Sequence, residues 1–357
     1  MFRKILSAIT LILLVIVVWN AHDQIFEAVN YLGDTNLIVI LLLIPEQLFM
    51  YYCCGQMFFS YMRAKKTTKK IKQSDLVRIS LELNFVNHAV PSGGVSGLGY
   101  IAWRLLPYGS SIGQTSFMYL LRYGITILAN QFQTIIAIIV LAVAGNLNSA
   151  TIWILWLVAA VCLAVIALVV AVVVIASSKK RIDWFAEKAT TFINWLVKKV
   201  TFGHKQKVLK ASKVHAYFDD MHKDLVNAKK NKRILVRPII WGIVYSFFEV
   251  ATYWIVGISM GHPEILPQVM VAEAIGSVIG AVLVTPGGMG GYEGAMIWVM
   301  SLLGVEVGLA TAVVITTRVV VLVGTIASGY GFYQHAISKI GKADRQQIDK
   351  INQQTSL

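Results

Sequence analysis

The stretch Val282-Leu283-Val284-Thr285-Pro286-Gly287-Gly288-Met289-Gly290-Gly291-Tyr292-Glu293 interrupts an apolar segment that runs from 269 to 304. A continuous helix does not pass this point. Proline removes a backbone donor and its ring clashes with the preceding turn, while each glycine lowers helix propensity by about 1 kcal/mol. The same break occurs earlier, where Pro91-Ser92-Gly93-Gly94 divides the apolar segment from 75 to 106. The two breaks also continue alike. Pro91 leads through Trp103 and Leu105-Leu106 to Arg122, 31 residues on, and Pro286 leads through Trp298 and Leu302-Leu303 to Arg318, 32 residues on. Similarity this extended marks an internal repeat.

Working outward, the composition belongs to a membrane protein. Of 357 residues, 57% are hydrophobic and 14% charged, against roughly 25% charge in a soluble domain. Crossing roughly 30 Å of hydrocarbon takes about 20 apolar residues, and such runs at 5–24, 37–60, 115–144, 151–176, 238–260 and 308–334 predict six full spans. The run Ile5 to Trp19 follows Arg3 and Lys4 as a signal peptide would, but no small-residue cleavage site comes after it. It is therefore read as a retained first span.

The net charge of +14 is clustered. Six Lys and Arg lie from Arg63 to Lys72 and sixteen from Lys179 to Arg237, whereas the connectors 20–36, 145–150 and 261–268 hold none. This is the asymmetry of a positive-inside topology with both termini cytoplasmic, at the plasma membrane. Topology and attraction to anionic headgroups account for the basic charge, so no nucleic-acid partner is expected.

If each broken segment is a pair of half-helices that returns to its starting side, every basic loop falls inside and every connector without Lys or Arg outside. The first hairpin, about 75–106, then enters from the cytoplasm and the second, about 269–304, from the exterior. The expected fold is all-α and integral to the membrane, with about six full transmembrane helices plus two re-entrant broken-helix hairpins in an inverted-topology repeat, as in many transporters. Its parts are membrane half one (1–176), a basic cytoplasmic or interfacial helical insert (177–237), membrane half two (238–338) and a short, frayed cytoplasmic tail (339–357). In the insert, Trp184, Phe185, Phe192 and Trp195 among lysines predict a helix at the interface, and Lys205 to Lys232 a solvated helical stretch.

Backbone groups freed at a break are tolerated in a membrane only where protein or a watery cavity surrounds them. The residues of the breaks, Pro91, Ser92, Gly93, Gly94, Pro286, Gly287, Gly288 and Gly290, are thus expected to line a central cavity. The half-helices beginning after Gly94 and Gly290 would present amides and a positive dipole end there, a site for an anion such as phosphate. Close helix packing through small residues is the bland alternative. Arg122 and Arg318 are costly at mid-span, and each needs a partner. Either they pair permanently with Glu46, Glu82, Glu249, Glu273 or Glu293, or at least one meets a substrate phosphate in a bidentate contact. Asn87, Glu273 and Glu293 join the expected cavity set, and Arg104 is expected to face headgroups. Cys53, Cys54 and Cys162 fall in apolar runs with no disulfide or metal spacing. No metal or other cofactor is expected, and no P-loop, HExxH or serine-elbow motif marks an enzyme.

These motifs resemble the flippase-like membrane domain family, also called the lysylphosphatidylglycerol synthase transmembrane region. Asn87-His88-Ala89-Val90-Pro91 with Arg122 looks like its first element, and Pro286 to Glu293 with Arg318 is similar to its second. The likeness covers nearly the whole chain. One departure is clear: the acid that commonly follows the first proline-glycine element is replaced by Val95-Ser96-Gly97. The resemblance implies a multi-span fold that moves or accommodates lipids such as aminoacylated phospholipids or polyprenyl-linked sugars. In bifunctional relatives a soluble aminoacyltransferase domain follows, and lysyl transfer by this chain alone is not expected.

The expected function is translocation of a lipid or lipid-linked substrate. An anionic phospholipid or a polyprenyl-phosphate-linked lipid would be held by its headgroup between the hairpins. Two rivals remain. One is an integral-membrane glycosyl- or aminoacyl-type transferase using Glu293 or Glu82 as general base; the other is a noncatalytic subunit partnering a separate lipid-modifying enzyme.

Overall fold

The computed structural model describes residues 35–64, 71–90, 94–143, 177–200, 211–282 and 290–355, with scattered positions at 26–33 and 156–174. Among these residues every regular element is helical. A short turn of helix, Leu37–Ile40, leads into α1 (Leu43–Ala64). The first broken segment supplies α2 (Gln73–Ala89) and α3 (Val95–Leu105), and α4 (Ile112–Val143) follows. After the insert helices α5 (Lys179–Val200) and α6 (Ala211–Lys230) comes α7 (Arg233–Ser259). The second broken segment gives α8 (Leu266–Val282) and α9 (Gly291–Leu302), and α10 (Val307–Thr355) ends the described chain.

Four stretches among the described residues are long and apolar enough to cross a membrane: Leu37–Ala64, Ile112–Val143, Arg233–Ser259 and Val307–Ser338. They correspond to the spans expected at 37–60, 115–144, 238–260 and 308–334. The run at 5–24, most of that at 151–176, and the residues Pro91, Ser92, Gly93, Pro286, Gly287 and Gly288 lie outside the described residues.

Each broken segment folds as two short antiparallel helices. In the first, Tyr100 and Arg104 of α3 reach back to Glu82 of α2, at 2.7 and 2.8 Å. In the second, Gly276 lets α8 approach α9 so closely that a Cβ there would lie 2.8 Å from Met296 Cγ. With 17 and 12 residues, α8 and α9 are each shorter than a span.

The two hairpins open toward opposite ends of the bundle. Helices α1 and α7 run antiparallel, tied by Gln47 to Thr252 and by ring contacts of Phe49 with Phe248 and Tyr52 with Trp241. Their Ala64 and Arg233 ends therefore share one face, which among the described residues carries Arg63, Lys232 and Arg233. The opposite face holds the link from Asn36 N to Ser259 O. Gln73, at the start of α2, bonds Gln56 near the basic end, and Phe117, early in α4, touches Tyr61 there. The second hairpin begins at the other end, directly after Ser259. Packing is reciprocal: α10 lies on α2, and α4 lies on α8. Buried side chains form two large clusters, besides a smaller one in which Phe85 of α2, Tyr100 of α3 and Tyr333 of α10 meet and the pair Ile315 and Val319. One large cluster gathers α1–α4 around Phe58, Met62, Leu76 and Ile101, and the other gathers α7–α10 with the far end of α4 around Val269, Met296 and Val313.

One expectation about exposure is corrected. The insert is not simply solvated, since Met221, Leu225 and Ala228 pack on the first cluster and buried Asp224 accepts from Tyr61 Oη at 3.2 Å. The spacing i, i+4, i+7 of those three side chains gives α6 an apolar stripe. The tail is helical to Thr355; 342–355 holds four Gln and two Lys, good helix formers, and neither glycine nor proline.

Candidate functional site

A cavity of about 150 Å³ lies between the hairpins. The helices line it with side chains at helical spacing. Gln47, Met50, Tyr51 and Cys54 come from α1, and Ser80, Leu83, Asn84 and Asn87 from α2. Both sets follow i, i+3, i+4, i+7, which puts four residues on one face. Tyr245, Glu249, Thr252 and Tyr253 of α7, at i, i+4, i+7 and i+8, form another wall, with Glu273 and Ser277 of α8 also lining the cavity. Helices with an apolar outer surface thus turn a polar stripe inward.

Arg122 of α4 and Arg318 of α10 both reach this cavity. Their surroundings differ. Arg318 Nε donates to Glu293 Oε1 at 2.6 Å, and its guanidinium lies 4.8 Å from the centre of the Tyr292 ring. Glu293 is the third residue of α9, and its Oε2 accepts from Gly290 N at 2.7 Å. One carboxylate therefore caps the half-helix and neutralises the arginine. The dipole end expected to hold a substrate anion already holds an anion of the chain itself.

Arg122 has no ion pair among the described residues, and its buried Nε lacks a hydrogen-bond partner. Its guanidinium sits among the rings of Tyr123, Phe58 and Tyr245, at 5.2, 5.7 and 5.7 Å from their centres. Such rings offer a cation a favourable face but no counter-charge. Of the acids proposed as partners, Glu46 bonds Gln47 and Thr252, and Glu82 takes Arg78, Arg104 and Tyr100. Arg104 is consequently buried in an ion pair within the first hairpin, which corrects the expectation that it faces headgroups.

Glu249 and Glu273 are half-satisfied. Tyr245 Oη donates to Glu249 Oε1 at 3.2 Å and Asn130 Nδ2 to Glu273 Oε1 at 3.3 Å, while each Oε2 is buried without a partner. The cavity thus brings together Asn87, Arg122, Glu273 and Arg318 from the expected set. Gly94 stands one layer behind, its carbonyl accepting from Tyr119 Oη at 2.9 Å, and Gly290 and Glu293 stand behind Arg318. Sequence reasoning did not include Ser277 or the tyrosines 51, 119, 123, 245 and 253. Tyrosine hydroxyls inside apolar runs were the available signal, because each needs a polar partner there.

Comparison with known proteins adds one match. The family model described as "Lysylphosphatidylglycerol synthase TM region" covers residues 4–329 of the chain. No curated protein and no solved structure matches.

Proposed function

Because the chain belongs to the lysylphosphatidylglycerol synthase transmembrane region family, and is an integral membrane protein tied to lipid metabolism, we propose that it translocates a lipid by its anionic headgroup. The observation that carries this reading is the convergence of Arg122 and Arg318, from matching positions in the two halves, on one polar cavity between the hairpins. A cavity of about 150 Å³ has room for a phosphate-sized group with waters, since one water needs roughly 10–15 Å³. Acyl or prenyl chains would stay in the bilayer. The headgroup is either that of an anionic phospholipid or a polyprenyl phosphate.

In this reading the hairpins are re-entrant and the halves form an inverted-topology repeat. The opposed hairpin openings and the reciprocal packing of α10 on α2 and α4 on α8 support both. Such a repeat has two related arrangements that expose a central site to either side. The interfacial role proposed for α5 draws support from exposed Trp184 and Trp195.

A transferase using Glu293 or Glu82 as base gains no support from the geometry. Both carboxylates are held by arginines, and neither lines the cavity. The test is leaflet exchange of headgroup-labelled phosphatidylglycerol and of a polyprenyl phosphate in proteoliposomes, with mass spectrometry of the recovered lipid. Translocation predicts protein-dependent exchange of unaltered lipid. A chemically changed lipid, or no exchange of either class, would count against it.

A further inference from the structure

We infer that the anionic group is taken by Arg122 alone, and that Arg318 is a fixed structural counterpart, because the first half lacks the internal carboxylate that the second half possesses. The inference rests on the translocator reading and deepens it by assigning unequal roles to two arginines that the repeat makes equivalent.

The two half-helices begin in the same way. Gly94 and Gly290 precede α3 and α9 with positive φ of 87° and 89°, a conformation that favours glycine. Three residues further on, the second half has Glu293 and the first has Gly97. Glu293 bonds both Gly290 N and Arg318 Nε. At Gly97 there is no side chain, and the space is taken by Asn87, whose Oδ1 lies 2.0 Å from where a Cβ would stand. Tyr119 Oη donates to that same oxygen at 3.3 Å. Asn87 is neutral, so it fills the volume of the carboxylate without its charge.

Arg122 is left with aromatic faces, an unpartnered Nε and a cavity in front of it. Glu249 shares the cavity and feels the charge of Arg122, but it makes no ion pair with it: its Oε1 accepts from Tyr245, its Oε2 is unbonded, and the Tyr245 ring faces the guanidinium. A phosphate mono- or diester entering the cavity would supply the counter-charge that Gly97 does not. The planar guanidinium fork suits its oxygens. At Arg318 the same ligand would have to displace Glu293 from two bonds.

The test uses the full chain in a nonionic detergent, titrated with dihexanoyl phosphatidylglycerol or with inorganic phosphate. Binding is read by tryptophan fluorescence, and stability by the melting temperature. Wild type should respond saturably to the phospholipid. Arg122→Gln should keep or raise the melting temperature without ligand and bind roughly tenfold to hundredfold more weakly, the range for a hydrogen bond to a charged group. Arg122→Lys, which keeps the charge but not the fork, should fall between. Arg318→Gln should melt lower and lose clearly less affinity than Arg122→Gln, since the fork at Arg122 makes the charge-assisted bonds, and an equal loss in the two variants would count against the unequal roles.

If Arg318→Gln loses binding and Arg122→Gln or Arg122→Lys keeps it, the inference is overturned while translocation survives. A response to inorganic phosphate but not to the phospholipid would keep the Arg122 site and remove the lipid from it. No response of wild type to either ligand would overturn both.

Discussion

Arg78, Tyr100 and Arg104 meet one carboxylate, Glu82, which is fully buried where the two arms of the first hairpin cross. Removing one partner of a buried ion pair typically costs about 3–5 kcal/mol, because the other charge stays buried and uncompensated. Glu82→Gln is therefore expected to lower the melting temperature in detergent more than Glu46→Gln, since Glu46 meets only neutral partners. Equal effects of the two would contradict the assignment. At this scale the sequence was legible in part. A buried arginine is expensive in a membrane wherever it falls, so Arg122 and Arg318 could be chosen from position alone. The pairing could not be. Arg104 finds Glu82 at a separation of 22 residues, which only the hairpin crossing creates, and Arg122 stays without a carboxylate because of a glycine 25 residues before it.

Helix contacts in this bundle depend on small residues, since lipid chains are as apolar as the side chains they would replace. Gly329 of α10 lies against α2, where a Cβ would stand 2.6 Å from Phe85 Cβ and 2.9 Å from Leu81 O. Gly324, earlier on the same helix, has nothing within 4 Å of such an atom. Gly329→Ala should destabilise the protein by about 1–3 kcal/mol through overpacking. Gly324→Ala should be neutral or gain up to about 1 kcal/mol from helix propensity. Melting of the two variants in parallel checks this, and a neutral Gly329→Ala would mean that α10 does not seat on α2 as described. The sequence marked the hairpins clearly, because proline and adjacent glycines are incompatible with a continuous helix. It did not reveal the seating of α6, whose stripe of Met221, Leu225 and Ala228 is short and surrounded by charge.

Among the described residues, the Ala64 and Arg233 ends of α1 and α7 lie at one end of the bundle and the turn after Ser259 at the other, with the first hairpin starting near the former and the second at the latter. With Cys53, Cys54 and Cys162 replaced by serine, a membrane-impermeant maleimide applied to sealed cells should label His262→Cys but not Lys72→Cys, Tyr108→Cys or Asn231→Cys. Labelling of Tyr108→Cys would mean that the first hairpin crosses the bilayer instead of returning. The recurring spacing of 31 and 32 residues from proline to arginine is plain in the sequence. The reciprocal exchange, in which each half's spanning helix seats against the other half's hairpin, has no local signal and emerges only when the halves are assembled. What that assembly creates is a polar cavity with an arginine that no carboxylate bonds, through which we propose that a lipid headgroup passes. The most direct measurement is leaflet exchange of headgroup-labelled phosphatidylglycerol in proteoliposomes carrying equal amounts of folded wild type or Arg122→Gln. The account predicts exchange by wild type and a fall toward the protein-free rate in the variant; exchange at the wild-type rate by Arg122→Gln would contradict it.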